Sequence, residues 1–147
     1  MVISYKYKNI KRGDGVEKKL PYIPINVKGN GPSWIETMGL VDSGADVSVI
    51  PKDFAELLGL DLSGKKEISN GLGGEIEVVN SSMQVNVKYK HEDYTFTIPV
   101  QVIMKETKVP VILGRNGFFN QFVIEFDHYA RKIKLKHVPE GNRRLSR

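Results

Sequence analysis

The chain has 147 residues, a net charge of +5 from 22 Lys and Arg against 17 Asp and Glu, 40% hydrophobic residues and no cysteine. That length and apolar content suit one domain with its own core, and the missing cysteine excludes disulfides and thiolate metal sites. No run approaches the roughly 18 consecutive apolar residues of a membrane span, so no membrane association is expected. Residues 1–11 mix Lys and Tyr where a secretory leader would be apolar, which makes a cytoplasmic location the default expectation.

In chain order, residues 3–7 alternate weakly and open a series of short predicted strands. Gly13-Asp14-Gly15 marks a turn, and a strand over 22–27 follows it. Gly29-Asn30-Gly31-Pro32 marks a second turn before the alternating stretch 34–41, where Trp34 is expected in the core or at an interface. Residues 51–58 predict a short helix with Phe54, Leu57 and Leu58 as its apolar positions. Pro51 suits a first helical turn and Gly59 a helix stop. Strands are predicted over 75–79, 83–89 and 94–103, then a helical turn over 116–120. Strands over 122–126 and 132–136 close the series, joined by Asp127-His128-Tyr129-Ala130. Many short strands with one or two short helices indicate an all-β barrel or sandwich. The chain divides into a single domain over 1–140 and a basic tail over 141–147, where Arg143, Arg144 and Arg147 read as a solvated end.

The most informative stretch is Leu40-Val41-Asp42-Ser43-Gly44-Ala45-Asp46-Val47-Ser48-Val49-Ile50-Pro51. Asp-Ser-Gly is ordinary turn chemistry. Here it is embedded between two apolar runs, where an unpaired carboxylate would be costly. A strand ending in Asp42 would deliver that carboxylate from a buried frame, and Gly44 would let the backbone approach a ligand closely. Farther on, Val109-Pro110-Val111-Ile112-Leu113 runs into Gly114-Arg115-Asn116. Between the two lies a glycine-bearing segment, Ile68-Ser69-Asn70-Gly71-Leu72-Gly73-Gly74-Glu75-Ile76, which marks a hairpin tip. It lacks the Lys-Ser/Thr that a phosphate-binding loop needs.

These landmarks resemble the retropepsin-like, or retroviral-type, aspartic proteases: Asp-Thr/Ser-Gly-Ala followed by Asp and an apolar run, then an apolar run closing in Gly-Arg-Asn/Asp. They stand in that order 72 residues apart, and the resemblance covers about residues 22–135. It implies a closed pepsin-like β-barrel acting as a homodimer, with Asp42 catalytic. The two-lobed pepsins carry two Asp-Thr/Ser-Gly segments in a longer chain. This chain has one and no internal repeat, so a second copy would supply the second carboxylate on a two-fold axis. The resemblance further implies that Ser43 bonds across the axis and that Gly44, Ala45 and Asp46 meet substrate. It implies that Arg115 pairs with Asp46, and that Gly71, Leu72, Gly73 and Gly74 form a flap over the substrate. Leu72 is a modest departure, since the family often has isoleucine or an aromatic in the flap. The implied activity is hydrolysis of extended peptides or proteins by an activated water, with no metal or organic cofactor.

Other readings are weaker. His91, His128 and His137 show no metal-ligand spacing. No Gly-x-Ser-x-Gly elbow is present. Arg12-Gly13-Asp14 is read as a turn, and Asn80-Ser81-Ser82 as an unused glycosylation sequon. Nucleic acid is not an expected partner, because the interleaved aromatic and basic pattern is missing. The alternative function is a dimerisation or peptide-binding module that keeps the fold with little or no turnover.

Overall fold

The computed structural model describes residues 1–11, 13–70 and 74–142, leaving aside the side chain of Asn142. Strand β1 (Val2–Lys6) leads into a hairpin of β2 (Lys8–Lys11) and β3 (Glu17–Leu20). A second hairpin follows, β4 (Tyr22–Lys28) and β5 (Ile35–Val41), and then a loop, β6 (Ser48–Pro51) and the helix α1 (Lys52–Leu57). Next come β7 (Lys66–Ser69), β8 (Ile76–Tyr89), β9 (Glu92–Ile103) and the short β10 (Val111–Leu113). A 3-10 turn at Phe119–Gln121 precedes β11 (Phe122–Asp127) and β12 (Lys132–His137), and another at Glu140–Asn142 follows.

Strands β4, β5, β10, β6, β9 and β8 hydrogen-bond in that order. Strand β8 returns to β4 through Asn26↔Asn86, Val27↔Val85 and Lys28↔Gln84, closing a six-stranded barrel. The expected all-β closed barrel is therefore present, with one short α-helix among the described residues. Strand β7 extends the sheet beyond the closure, on the far side of β8. A separate sheet, β1-β12-β11, caps the barrel and sends Ile3, Phe122, Ile133 and Leu135 into the same core.

Period-two alternation fills that core, as a sheet with one buried face requires. Ile98, Val100 and Val102 of β9 and Met83, Val85 and Val87 of β8 are all buried. Strand β8 then changes allegiance. Ile76 and Val78 turn instead to a small cluster with Ile103, and the switch falls at the consecutive buried pair Val78 and Val79. One strand thus serves both the barrel and the hairpin that projects from it.

Several sequence expectations need correction. The predicted strands over 75–79 and 83–89 are one strand, because Asn80, Ser81 and Ser82 pair with Gln101, Val100 and Pro99 without a break. Backbone pairing does not need apolar side chains. The β2–β3 hairpin was read only as its turn; its strands hold lysines and no fully buried residue, so they show no alternation. Pro51 is an extended residue just before α1 (φ −74, ψ 156) and lies outside its first turn. Leu57 faces solvent, while Ala55 and Leu58 are buried. Gly59, at φ +70, does end the helix, in the left-handed conformation that glycine tolerates best. The helical turn expected over 116–120 forms as the 3-10 turn at Phe119–Gln121. Trp34 is 43% exposed, with the Lys28 Nζ 5.9 Å from its ring centre, so it is not a core residue. No helix among the described residues is long and apolar enough to cross a membrane.

Candidate active site

Asp42 follows directly on β5, and its position is set by β10. Strand β10 runs parallel to β5 through Gly39↔Val111, Leu40↔Ile112 and Val41↔Leu113. It also pairs antiparallel with β6 through Ile112↔Val49. The loop between β5 and β6 must therefore pass over the end of β10. The Asp42 N–H donates to the Leu113 carbonyl at 3.0 Å, which ends the strand with the carboxylate held at the loop's start.

Four further bonds tie this loop down. The Gly44 N–H donates to Asp42 Oδ1 at 2.9 Å, and the Ala45 N–H to the Asp42 carbonyl at 3.3 Å. From the other side, the Arg115 N–H reaches the Ala45 carbonyl at 2.9 Å and the Asn116 N–H the Asp46 carbonyl at 2.7 Å. Gly114 makes this approach possible. A Cβ there would lie 2.6 Å from the Val47 carbonyl carbon and oxygen and 3.0 Å from the Ala45 oxygen. The glycine of the second landmark is thus explained by close backbone contact.

Asp42 is half-buried, and together with Gly44, Ala45 and Asp46 it lines a cleft of about 440 Å³. Val49, Ile76, Val78, Ile103 and Ile112 give this cleft apolar walls, and Ser69, Asn70 and Gln101 add polar groups. Ser69 ends β7, Asn70 follows it, and Ile76 and Val78 lie at the start of β8, so the described ends of the glycine-bearing segment stand at the cleft's rim. Gly74 is exposed; Gly71, Leu72 and Gly73 lie outside the described residues. Ser43 is exposed in the single chain.

Arg115 and Asp46 are brought together as an ion pair through one guanidinium nitrogen and one carboxylate oxygen, Nη2 and Oδ1. The contact is exposed: 55% of the Arg115 side chain and 90% of the Asp46 side chain face solvent. Such a pair orients side chains more than it stabilises the fold.

The sequence reading missed Ser48. Its side chain is fully buried, and its Oγ accepts the Gly114 N–H at 3.0 Å. The available signal was a lone hydroxyl inside the apolar run Val47-Ser48-Val49-Ile50. The cleft walls were missed as well. Their signal was the unbroken pair Val78-Val79, which breaks simple alternation and so faces two ways. Next to the loop, burial pushes the hydroxyl pKa of Tyr22, the partner of Leu40, above its ordinary value. Among the described residues no group of three His, Cys, Asp or Glu is placed to hold a metal ion.

The sequence model described as aspartyl protease matches residues 23–116, which takes in both landmarks. No curated protein matches the chain. Among solved structures, a retropepsin-like aspartic protease from Rickettsia conorii is similar, with a TM-score of 0.53 and 20% identity over 93% of this chain and 92% of that one. That likeness is one of fold. The EIAV protease complexed with the inhibitor HBY-793 is 26% identical, with a TM-score of 0.39 over 67% of this chain and 84% of that one.

Proposed function

Because this chain belongs to the aspartyl protease family, we propose that it is an aspartic endopeptidase that works as a homodimer, with Asp42 of each copy forming the catalytic pair. The observation that carries the proposal is a single framed carboxylate: Asp42 lines an apolar-walled cleft and has its Oδ1 fixed by the Gly44 N–H. A water held between two such carboxylates would lose a proton to the ionised one. It would attack the scissile carbonyl while the protonated carboxyl donates to the carbonyl oxygen. Two carboxylates this close cannot both ionise freely, so they share one proton and titrate as a pair, as is general for aspartic proteases.

The remaining roles are those that the family resemblance implies. Ser43, exposed in one chain, would bond across the two-fold axis. Gly44, Ala45 and Asp46 line the cleft and would meet substrate backbone. Arg115 would orient Asp46, and residues 71–74 would close over the substrate as a flap. The apolar walls suit an extended peptide with apolar side chains around the cut. The domain we assign to this activity is 1–140, with 141–147 as a basic tail.

The test is digestion of an unfolded protein from acid to neutral pH, with and without a statine-type inhibitor such as pepstatin, by wild type and by Asp42→Asn. Inhibitor-sensitive cleavage that Asp42→Asn abolishes supports the reading. Cleavage that survives Asp42→Asn, or no cleavage by wild type at any pH, overturns it.

A further inference from the structure

The β2–β3 hairpin is poorly accounted for by the chain that carries it. A two-stranded hairpin is marginal in water unless something packs on it. Its register, Lys8↔Leu20 and Ile10↔Lys18, puts Lys8, Ile10, Lys18 and Leu20 on one face, and the strand period adds Val16 to them. The other face carries Asn9, Lys11, Glu17 and Lys19, and there the Asn9 Nδ2 donates to Glu17 Oε2 at 3.0 Å. The first face is therefore the apolar one. Val16 is 51% exposed. Ile10 and Leu20 are only half-buried and do not pack on the main core, which takes Tyr5 and Tyr7 from just before the hairpin. At the tip, a Cβ added to Gly13 or Gly15 would meet nothing within 4 Å.

The hairpin is nevertheless held at both roots. On one side the Tyr7 N–H donates to the Arg131 carbonyl at 2.8 Å. On the other the Pro21 carbonyl accepts the Val41 N–H at 3.1 Å, one residue before Asp42. The second root thus lies about one strand spacing, roughly 5 Å, from the segment that delivers the catalytic carboxylate. If two Asp42 side chains meet on a two-fold axis, this root lies beside the axis, and the arm reaches on the order of 15–20 Å from it. Charge points to the same occupant. Residues 8–20 carry five basic and two acidic residues, while residues 22–121 carry nine basic and twelve acidic. The arm is therefore positive and the body it would meet in a second copy is negative.

We infer that the β2–β3 hairpin is an arm that clasps a second copy of this chain, laying Ile10, Val16 and Leu20 on the partner's barrel and fixing the two Asp42 loops against each other. The inference rests on the dimeric reading above. Each contact occurs twice in a two-fold dimer, so removing two apolar side chains removes four from the interface.

The test is sedimentation equilibrium of the full chain, comparing wild type with Ile10→Ser/Val16→Ser on the apolar face and Lys11→Ser/Lys19→Ser on the other. The first pair should raise the dimer Kd by about tenfold or more, as loss of interface anchors does, and the second, which lowers the arm's charge but removes no apolar contact, by no more than about threefold. Equal weakening by both pairs, or a Kd indifferent to the first, overturns the arm and leaves a dimeric enzyme standing. A wild type that stays monomeric at high concentration with pepstatin present overturns both. A second measurement covers misfolding of the variants. The chain has no cysteine, so Val16→Cys takes a single environment-sensitive dye. Its emission should shift to the blue over the same concentrations at which sedimentation reports dimers; unchanged emission through that transition overturns the arm.

Discussion

Gly114→Ala is the substitution that most directly probes how Asp42 is held. The added Cβ would sit 2.6 Å from the Val47 carbonyl carbon and oxygen, both backbone atoms with no rotamer to move away. Ordinary contact begins near 3.4 Å, so the β5–β6 loop and the end of β10 must separate by several tenths of an ångström. Overpacking of this kind costs about 1–3 kcal/mol. The separation also strains the Arg115–Ala45 and Asn116–Asp46 backbone bonds, now 2.9 and 2.7 Å, each contributing about 1 kcal/mol. The expected destabilisation is therefore about 3–5 kcal/mol, measured by urea unfolding followed by circular dichroism. A proper control is Gly64→Ala, whose Cβ would meet only Val79 Cγ1 at 3.6 Å, and whose effect should stay within about 0.5 kcal/mol. Peptidase activity should fall more steeply than stability, since a displacement approaching 1 Å at a reacting group costs on the order of a hundredfold. A Gly114→Ala protein with the wild-type midpoint and wild-type turnover would refute the claim that this contact frames the carboxylate.

Other expectations follow from the same structure. Ser48→Ala leaves the buried Gly114 N–H without its acceptor and should cost about 1–3 kcal/mol by the same unfolding assay. Arg115→Lys should shift stability by less than about 1 kcal/mol, because the pair with Asp46 is exposed; kcat/KM should fall, because an ammonium orients a carboxylate less well than a guanidinium. Among the described residues the buried Tyr5 hydroxyl has no hydrogen-bond partner, so Tyr5→Phe should raise stability by about 1 kcal/mol. Burial, with Tyr89 adding to it, pushes that hydroxyl from 10.0 up to about 12. The folded chain therefore keeps a proton that the unfolded chain loses: this contribution is fully present below pH 10 and is lost as pH rises toward 12. Tyr5→Phe should remove that part of the alkaline loss in a pH series of melting curves.

The two landmark segments were legible in the sequence because each packs its chemistry into a few neighbouring residues. A carboxylate, a hydroxyl and a glycine between apolar runs is a local pattern, and so is Gly114-Arg115-Asn116 after five apolar residues. Most strands were legible too, since one buried face imposes period two. What could not be read was the way the segments interlock. Nothing local to residues 111–113 says that they insert between β5 and β6. Ser48 was hidden because a hydroxyl in an apolar run usually marks a strand's wet face, whereas this one is needed inside to satisfy a backbone N–H. The β2–β3 hairpin was hidden for the opposite reason: it buries too little to leave a pattern.

The interlock also bears on when the Asp42 loop can take its shape. The bond from Gly114 to Ser48 spans 66 residues, and among the described residues the backbone bonds that fix the Asp42 loop from outside come from residues 113–116. A chain still emerging from synthesis, or one truncated before Leu113, carries Asp42-Ser43-Gly44 without the segment that shapes it. Loop closure of that length comes late in folding, because its entropic cost precedes its contacts. The topology thus acts as a timing device: the carboxylate acquires its frame only once nearly the whole barrel exists.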